Sequence, residues 1–222
     1  MSMNDSSARV WDVPTRLFHW TLVGLIALQY ASGEFGWLSM EWHFRLGYAT
    51  LALIAFRVLW GFFGSQTSRF GDFLRGPRIV SRYAADLMRG KAGHATGHNP
   101  LGGWSVVAML ACVFVQAVSG LFTSDDISED GPFAGAVSNS VVRLASRVHS
   151  WGETVLVVLI VLHVAAVLLH WLLKRDNLVA PMFSGRKPGA ETRSLRFASG
   201  WLALALLIGA IAAVFVLSRY GD

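Results

Sequence analysis

Cysteine is almost missing from these 222 residues; Cys112 is the only one, set in the apolar run VVAMLACVFVQAV. Its isolation excludes an intrachain disulfide, a thiolate metal cluster and the C-x-x-C-H pattern that ties a haem covalently to a chain. Charge is scarce too, at 15% Asp, Glu, Lys and Arg against 54% hydrophobic residues, whereas soluble domains carry about 25% charged residues. The mean hydropathy of +0.47 places the chain in the polytopic membrane class. In a soluble protein the net charge of +5 would suggest nucleic acid. In a membrane chain the position of the charges matters more than their sum, and no nucleic-acid partner is expected. The first residues, MSMNDSSARVWDVPTR, lack the basic-then-apolar order of a cleavable leader, so insertion is expected to rely on the spans themselves.

What is present is a series of long apolar runs. Leu17–Gly33, extended towards Pro14, reads as a first span, and a tight link leads to a second from His43 to Phe63. A third runs from Trp104 to Phe122, a fourth occupies the stretch from Val142 to Arg175, and a fifth covers Phe197 to Leu217. The expected fold is all-α, a polytopic membrane helix bundle with a four-helix core and a fifth C-terminal transmembrane helix. Residues 1–13 form a tail, 14–175 the bundle with its basic loop 64–99, 176–196 a second loop, and 197–222 the last helix and its tail. In the basic loop Ile79, Val80, Tyr83, Leu87 and Met88 recur at helical spacing opposite Arg78, Arg82 and Arg89, which predicts a short interfacial helix.

Orientation follows from the loops. The N-terminal segment through Arg16, the loop 64–99 and the stretch from Lys174 to Arg196 hold fourteen of the nineteen Lys and Arg residues, and the links at 34–42 and 123–142 hold none. Basic loops stay in the cytoplasm, so the N-terminus is expected inside and the C-terminus in the periplasm of a bacterial inner membrane. The second link is acidic, with Asp125, Asp126, Glu129 and Asp130. Trp20, Trp37, Trp42, Trp60, Trp104, Trp151, Trp171 and Trp201 fall near span ends, as aromatic belts do.

Histidines inside a span are costly and mark a site. His19 opens an outward span near the inner face, and His43 opens an inward span near the outer face. His149 and His163 are fourteen residues apart, close to four turns, so they share one side of the fourth helix about 21 Å apart along it. Depth pairs His43 with His149 outside, and His19 with His163 or His170 inside, since His170 lies on the same side. Facing neutral imidazoles across a bundle are what bis-histidine ligation of a haem b requires. Gly47, Gly152 and Gly24 near these histidines leave room for a flat macrocycle or allow close helix packing. Arg45 and Arg147 outside, and Arg16 and Arg57 inside, are candidates for haem propionates or for lipid headgroups. His94 and His98 are expected in solvent.

These residues carry a resemblance. R-x-x-H-W at Arg16–Trp20, H-F-R-x-G from His43 and G-H-N-P-L-G-G-W at Gly97–Trp104 stand in the first half. The H-x13-H of the fourth span and L-K-R-x-N-L-V-x-x-M-x-x-G from Leu173 follow. Together, over residues 9–187, they resemble the bacterial cytochrome b561 and nickel-hydrogenase cytochrome b family. The resemblance implies two haems b, with His19 and His163 as inner axial ligands and His43 and His149 as outer ones. It also implies electron transfer between a periplasmic redox protein, such as a hydrogenase, a dehydrogenase or a c-type cytochrome, and membrane quinone. The chain is then an electron-transfer subunit rather than a stand-alone enzyme. His170, Lys174 and Asp176 stand where a quinone headgroup can approach the inner haem, as does Asn99; lipid-headgroup contact or loop capping are the alternative roles. Two rival readings are a superoxide:quinone oxidoreductase of the same fold and a histidine-lined metal-ion transporter. The fifth span, without histidine, is expected to pack against the bundle or a partner.

Overall fold

The computed structural model describes residues 7–91, 93, 95–124, 129–188 and 195–221. His94, Asp125, Asp126 and Arg193 lie outside the described residues. The order is β1 (Ser7–Arg9), α1 (Val13–Phe35), α2 (Met40–Phe63), α3 (Phe70–Phe73), α4 (Pro77–Met88), α5 (Pro100–Gly120), α6 (Asn139–Lys174), α7 (Val179–Ser184), β2 (Arg186–Pro188) and α8 (Gly200–Ser218). The chain is a membrane helix bundle. Among the described residues four helices, α2, α5, α6 and α8, are long and apolar enough to cross a bilayer.

The sequence predicts five such spans, and α1 is the one outside this set. With 23 residues it reaches roughly 34 Å, enough for a bilayer core of about 30 Å. Its composition is diluted by Thr15, Arg16, His19, Thr21, Gln29, Ser32 and Glu34. Several of these polar groups serve neighbouring helices, which is why they stand in an otherwise apolar helix.

The local sequence explains the helix ends. Asp12 precedes α1, and its Oδ1 accepts the Thr15 N–H at 2.7 Å, an N-cap followed by Pro14 where the missing N–H costs nothing. Asn99 caps α5 in the same way, its Oδ1 accepting the Gly102 N–H at 2.8 Å. Helix α6 stops at Arg175 in the left-handed region (φ 53°). The Asp176 N–H then returns to the His170 carbonyl at 3.2 Å, which gives a last-turn carbonyl a partner.

The chain divides into two compact units. The first comprises residues 1–17, 59–108 and 161–203. Here β1 pairs antiparallel with β2, Ala8 opposite Lys187, and the Gly185 carbonyl accepts the N–H groups of Val10 and Trp11. Gly185 has φ 77°, and a Cβ there would stand 2.8 Å from the Trp11 carbonyl oxygen, so both backbone and neighbour require glycine. Beneath this ribbon the Asp12 carboxylate, 2% exposed, also accepts Trp60 Nε1–H at 3.2 Å, and Thr15 meets Ser68 hydroxyl to hydroxyl at 2.6 Å. Trp60 is fully buried and so is no belt residue, unlike Trp37, Trp151 and Trp201, which are exposed. The indole N–H found an internal carboxylate instead of the headgroup layer. Helix α4 forms in this unit with none of its residues buried.

The second unit comprises residues 18–58, 109–160 and 204–222. Its core is built on Leu51 and Ala52 of α2, Leu121 at the end of α5 and Val214 of α8, with Tyr48, Phe122 and Phe133 packed against them. Helix α8 therefore contributes to this core. Most large apolar side chains of this unit's part of α6 are exposed, including Trp151, Val155, Val157 and Val158, an arrangement suited to lipid contact and not to water.

Candidate functional site

Two histidines meet inside the second unit. His43 in the first turn of α2 and His149 in the first third of α6 have ring centres 6.4 Å apart, with the planes inclined at 75°. Each ring is held by its Nδ1. Ser32 of α1, 3% exposed, stands 2.7 Å from His43 Nδ1, and its own hydroxyl proton goes to the Gln29 carbonyl at 2.8 Å. A serine has one proton to give, so both bonds coexist only when the imidazole donates from Nδ1. His149 Nδ1 lies 3.0 Å from the Gln116 carbonyl, which can only accept. Both histidines therefore carry their proton on Nδ1 and keep the Nε2 lone pair for a metal.

Around the pair lies a cavity of about 400 Å³ lined by both imidazoles, Gly47, Gln116, Gly120 and Glu153. A volume of that order is typical of cofactor sites. The glycines play different parts. Gly47 has nothing within 4 Å of where its Cβ would be, so it opens space, whereas the Cβ of an alanine at 152 would meet Gln116 Oε1 at 2.3 Å. At Gly120 a Cβ would come within 2.8 Å of His149 Cε1, so the ring sits directly against the α5 backbone. Of the arginines expected near this pair, Arg45 bonds Glu41 and stacks on Trp42, and Arg147 is exposed. Neither lines the cavity, whose polar wall includes the hydroxyls of Thr123, Ser124, Ser146 and Ser150.

The other candidates are distributed between the units. His19, its ring edge-on to Trp20, belongs to the second unit, and His163 to the first. Arg57 is 2% exposed with its guanidinium over the Phe18 ring, so it does not snorkel to the surface. Arg16 donates to the Phe183 carbonyl.

In the first unit His170 is committed at both nitrogens: Nδ1 donates to the Ala166 carbonyl at 2.9 Å, and Nε2 faces Asn99 Nδ2 at 3.4 Å. Asn99 Oδ1 is occupied by the α5 cap, so its amide can offer only N–H to His170. Lys174 lies over the Tyr83 ring at 5.5 Å, and burial together with the Asp176 carboxylate pushes the Tyr83 phenol above its ordinary pKa. His98, expected in solvent, packs instead between Trp11 and Phe73, at 4.8 and 4.7 Å between ring centres. The cause is that Gly97 and His98 fold back beneath the N-terminal segment, whose Trp11 ring also reaches Gly97.

The family model described as prokaryotic cytochrome b561 matches residues 10–185. The chain belongs to the prokaryotic cytochrome b561 family. No curated protein matches it. As a cytochrome b561 it is a membrane b-type cytochrome of electron transfer, and its cofactor is haem b. The donor set fits such a group: two imidazoles that keep their Nε2 lone pairs beside a cavity of cofactor size would be able to hold its iron.

Ser32, Ser119, Gly120 and the Gln116 carbonyl are the parts of this candidate site that sequence reasoning missed. Ser119 joins the same carbonyl at 3.1 Å and approaches His149 Nδ1 at 3.3 Å. A signal for Ser32 existed in Gln29 and Ser32, polar residues three apart in an apolar run and hence on one face of α1. Nothing in the sequence pointed that face at His43.

Proposed function

We propose that this cytochrome carries electrons between a redox protein at the periplasmic face and the membrane quinone pool through two haems b. The outer one is held by His43 and His149 and the inner one by His19 and His163. The observation that carries this is the pair of Nδ1-protonated imidazoles 6.4 Å apart beside the cavity. The bound haem supplies reversible one-electron exchange at iron. The chain's part is to hold each Nε2 towards the iron, to fix the ring planes through the Nδ1 bonds, and to keep the site within apolar helices. Hydroxyls of Thr123, Ser124 and Ser146 serve the outer propionates from the cavity wall, with Arg45 and Arg147 nearer the surface. Arg57, and Arg16 beyond its bond to Phe183, serve the inner ones.

The fourteen-residue spacing from His149, the H-x13-H on which the family resemblance rests, supports His163 over His170 as the inner ligand. That leaves His170, Lys174 and Tyr83 as the titratable groups where a quinone headgroup takes protons together with electrons. In this reading the basic loops, this end of the bundle and the N-terminus face the cytoplasm and the C-terminus faces the periplasm, which the excess of Lys and Arg in those loops supports. A metal-ion transporter is less well supported: among the described residues no three His, Cys, Asp or Glu side chains are grouped to hold a metal ion.

The test is the dithionite-reduced minus oxidised visible spectrum of the purified protein, with haem quantified per chain. Wild type is expected to hold two haems b, and His149→Ala and His163→Ala about one each. A colourless wild type would overturn the assignment, and full retention in His163→Ala would move the inner ligand elsewhere.

A further inference from the structure

The two outer histidines are held by different kinds of acceptor, and the difference has a functional consequence. His149 Nδ1 donates to a backbone carbonyl, a partner no side-chain replacement removes. His43 Nδ1 donates to the hydroxyl of Ser32, which stands on another helix and is buried. That hydroxyl is aimed by its own bond to the Gln29 carbonyl. The Gln29 side chain donates to Thr50 Oγ1 at 2.9 Å, and Thr50 donates to the Leu46 carbonyl one turn back along α2. The Gln29 side chain and the Ser32 hydroxyl thus make two separate ties from α1 to α2, one at Thr50 and one at His43.

An imidazole that donates from Nδ1 is more electron-rich at Nε2, and a metal bound there is stabilised in its higher charge state. The strength of that donation depends on the acceptor and its geometry. A serine oxygen whose own proton is already committed presents only lone pairs, so it cannot turn round and force the other tautomer. We propose that Ser32 is a positioning residue that sets the tautomer and basicity of His43 and so holds down the reduction potential of the outer haem. This rests on His43 being an axial ligand, as argued above.

The experiment is a redox titration of the purified full-length protein, following the haem absorption of wild type, Ser32→Ala, Ser32→Thr and Thr50→Val, with His43→Ala as the reference for haem loss. Ser32→Ala is expected to raise the midpoint potential of one haem and leave the other unmoved. Ser32→Thr keeps a hydroxyl and is expected to stay at the wild-type potentials. Thr50→Val breaks the tie between helices without touching the imidazole, so its shift is expected to be smaller than that of Ser32→Ala. Two haems at wild-type potentials in Ser32→Ala would overturn the role of Ser32 while leaving the ligand assignment standing. Should Ser32→Ala lose one haem, the threonine variant decides, since retention of both haems at wild-type potentials supports the hydroxyl and an equal loss overturns it. Full haem content in His43→Ala would instead overturn the ligand assignment on which the proposal is built.

Discussion

Gly120 and Gly152 separate two meanings of glycine beside a histidine. At Gly120 an added methyl would meet the His149 ring at 2.8 Å, and the ring cannot retreat without giving up its bond to the Gln116 carbonyl. At Gly152 the methyl would meet Gln116 Oε1, the far end of a flexible side chain that can rotate away. Gly120→Ala is therefore expected to lower haem content towards one per chain, and Gly152→Ala to keep two, as read from the reduced minus oxidised spectrum. Tyr83 gives a second prediction. The folded chain holds its phenol proton above the ordinary pKa of 10.0, so between pH 10 and the folded value the native state binds more protons than the unfolded one. Stability then falls as pH rises past 10. Tyr83→Phe should flatten that alkaline decline in a series of melts, and an unchanged decline would count against it.

Helix α1 shows how an element serves several neighbours through its polar positions. Its start is tied by Asp12, which satisfies an orphan N–H of the first turn and also the buried Trp60 indole. Replacing Asp12 by Ala removes a cap and strands an indole N–H, a loss of about 1–3 kcal/mol. The expected outcome is a lower midpoint in thermal unfolding followed in detergent, with haem content retained at low temperature. Its far end carries Gln29 and Ser32, which bond α2 residues. A helix that spends these positions on its neighbours is less apolar than one that faces lipid all round, and α1 falls outside the set of evidently membrane-crossing helices for that reason. Helix α4 is the opposite case. Its arginine face and apolar face were legible at once, because amphipathic spacing is a property of twelve consecutive residues.

Across the first unit, contacts between distant parts of the sequence do the holding. Lys187 and Asp176 form an ion pair at 2.9 Å, with each side chain about 10% exposed, and Lys187 Nζ also donates to the Ala95 carbonyl. A pair so far removed from water is costly to break on one side alone, by roughly 3 kcal/mol or more, because the remaining charge loses its ion-pair partner while staying buried. Lys187→Met is expected to destabilise the fold by about that amount, and Lys187→Met combined with Asp176→Asn by less than the single change. Denaturant or thermal unfolding of the single and double variants reads this directly. A double variant worse than Lys187→Met would mean that the two charges do not act as a pair.

The positions of the apolar runs, the acidic and basic links, and the histidines that recur at helical spacing were all readable from the chain itself. Hydropathy and helical periodicity are properties of neighbouring residues, and the motifs that matched the cytochrome b561 family lie in short stretches. What needed the folded molecule was every choice that depends on a partner far along the chain. Ser32 reaches His43 across eleven residues and Gln116 reaches His149 across thirty-three, so no local pattern could say which hydroxyl or carbonyl fixes each imidazole. The same holds for Trp60, read as a belt residue until Asp12, 48 residues away, proved to hold its N–H. It holds too for Gly47 and Gly152, alike beside their histidines in sequence, of which one opens onto the cavity and the other is packed by Gln116. A side chain's type fixes what it can donate or accept, and only the packing of helices decides which partner is within reach.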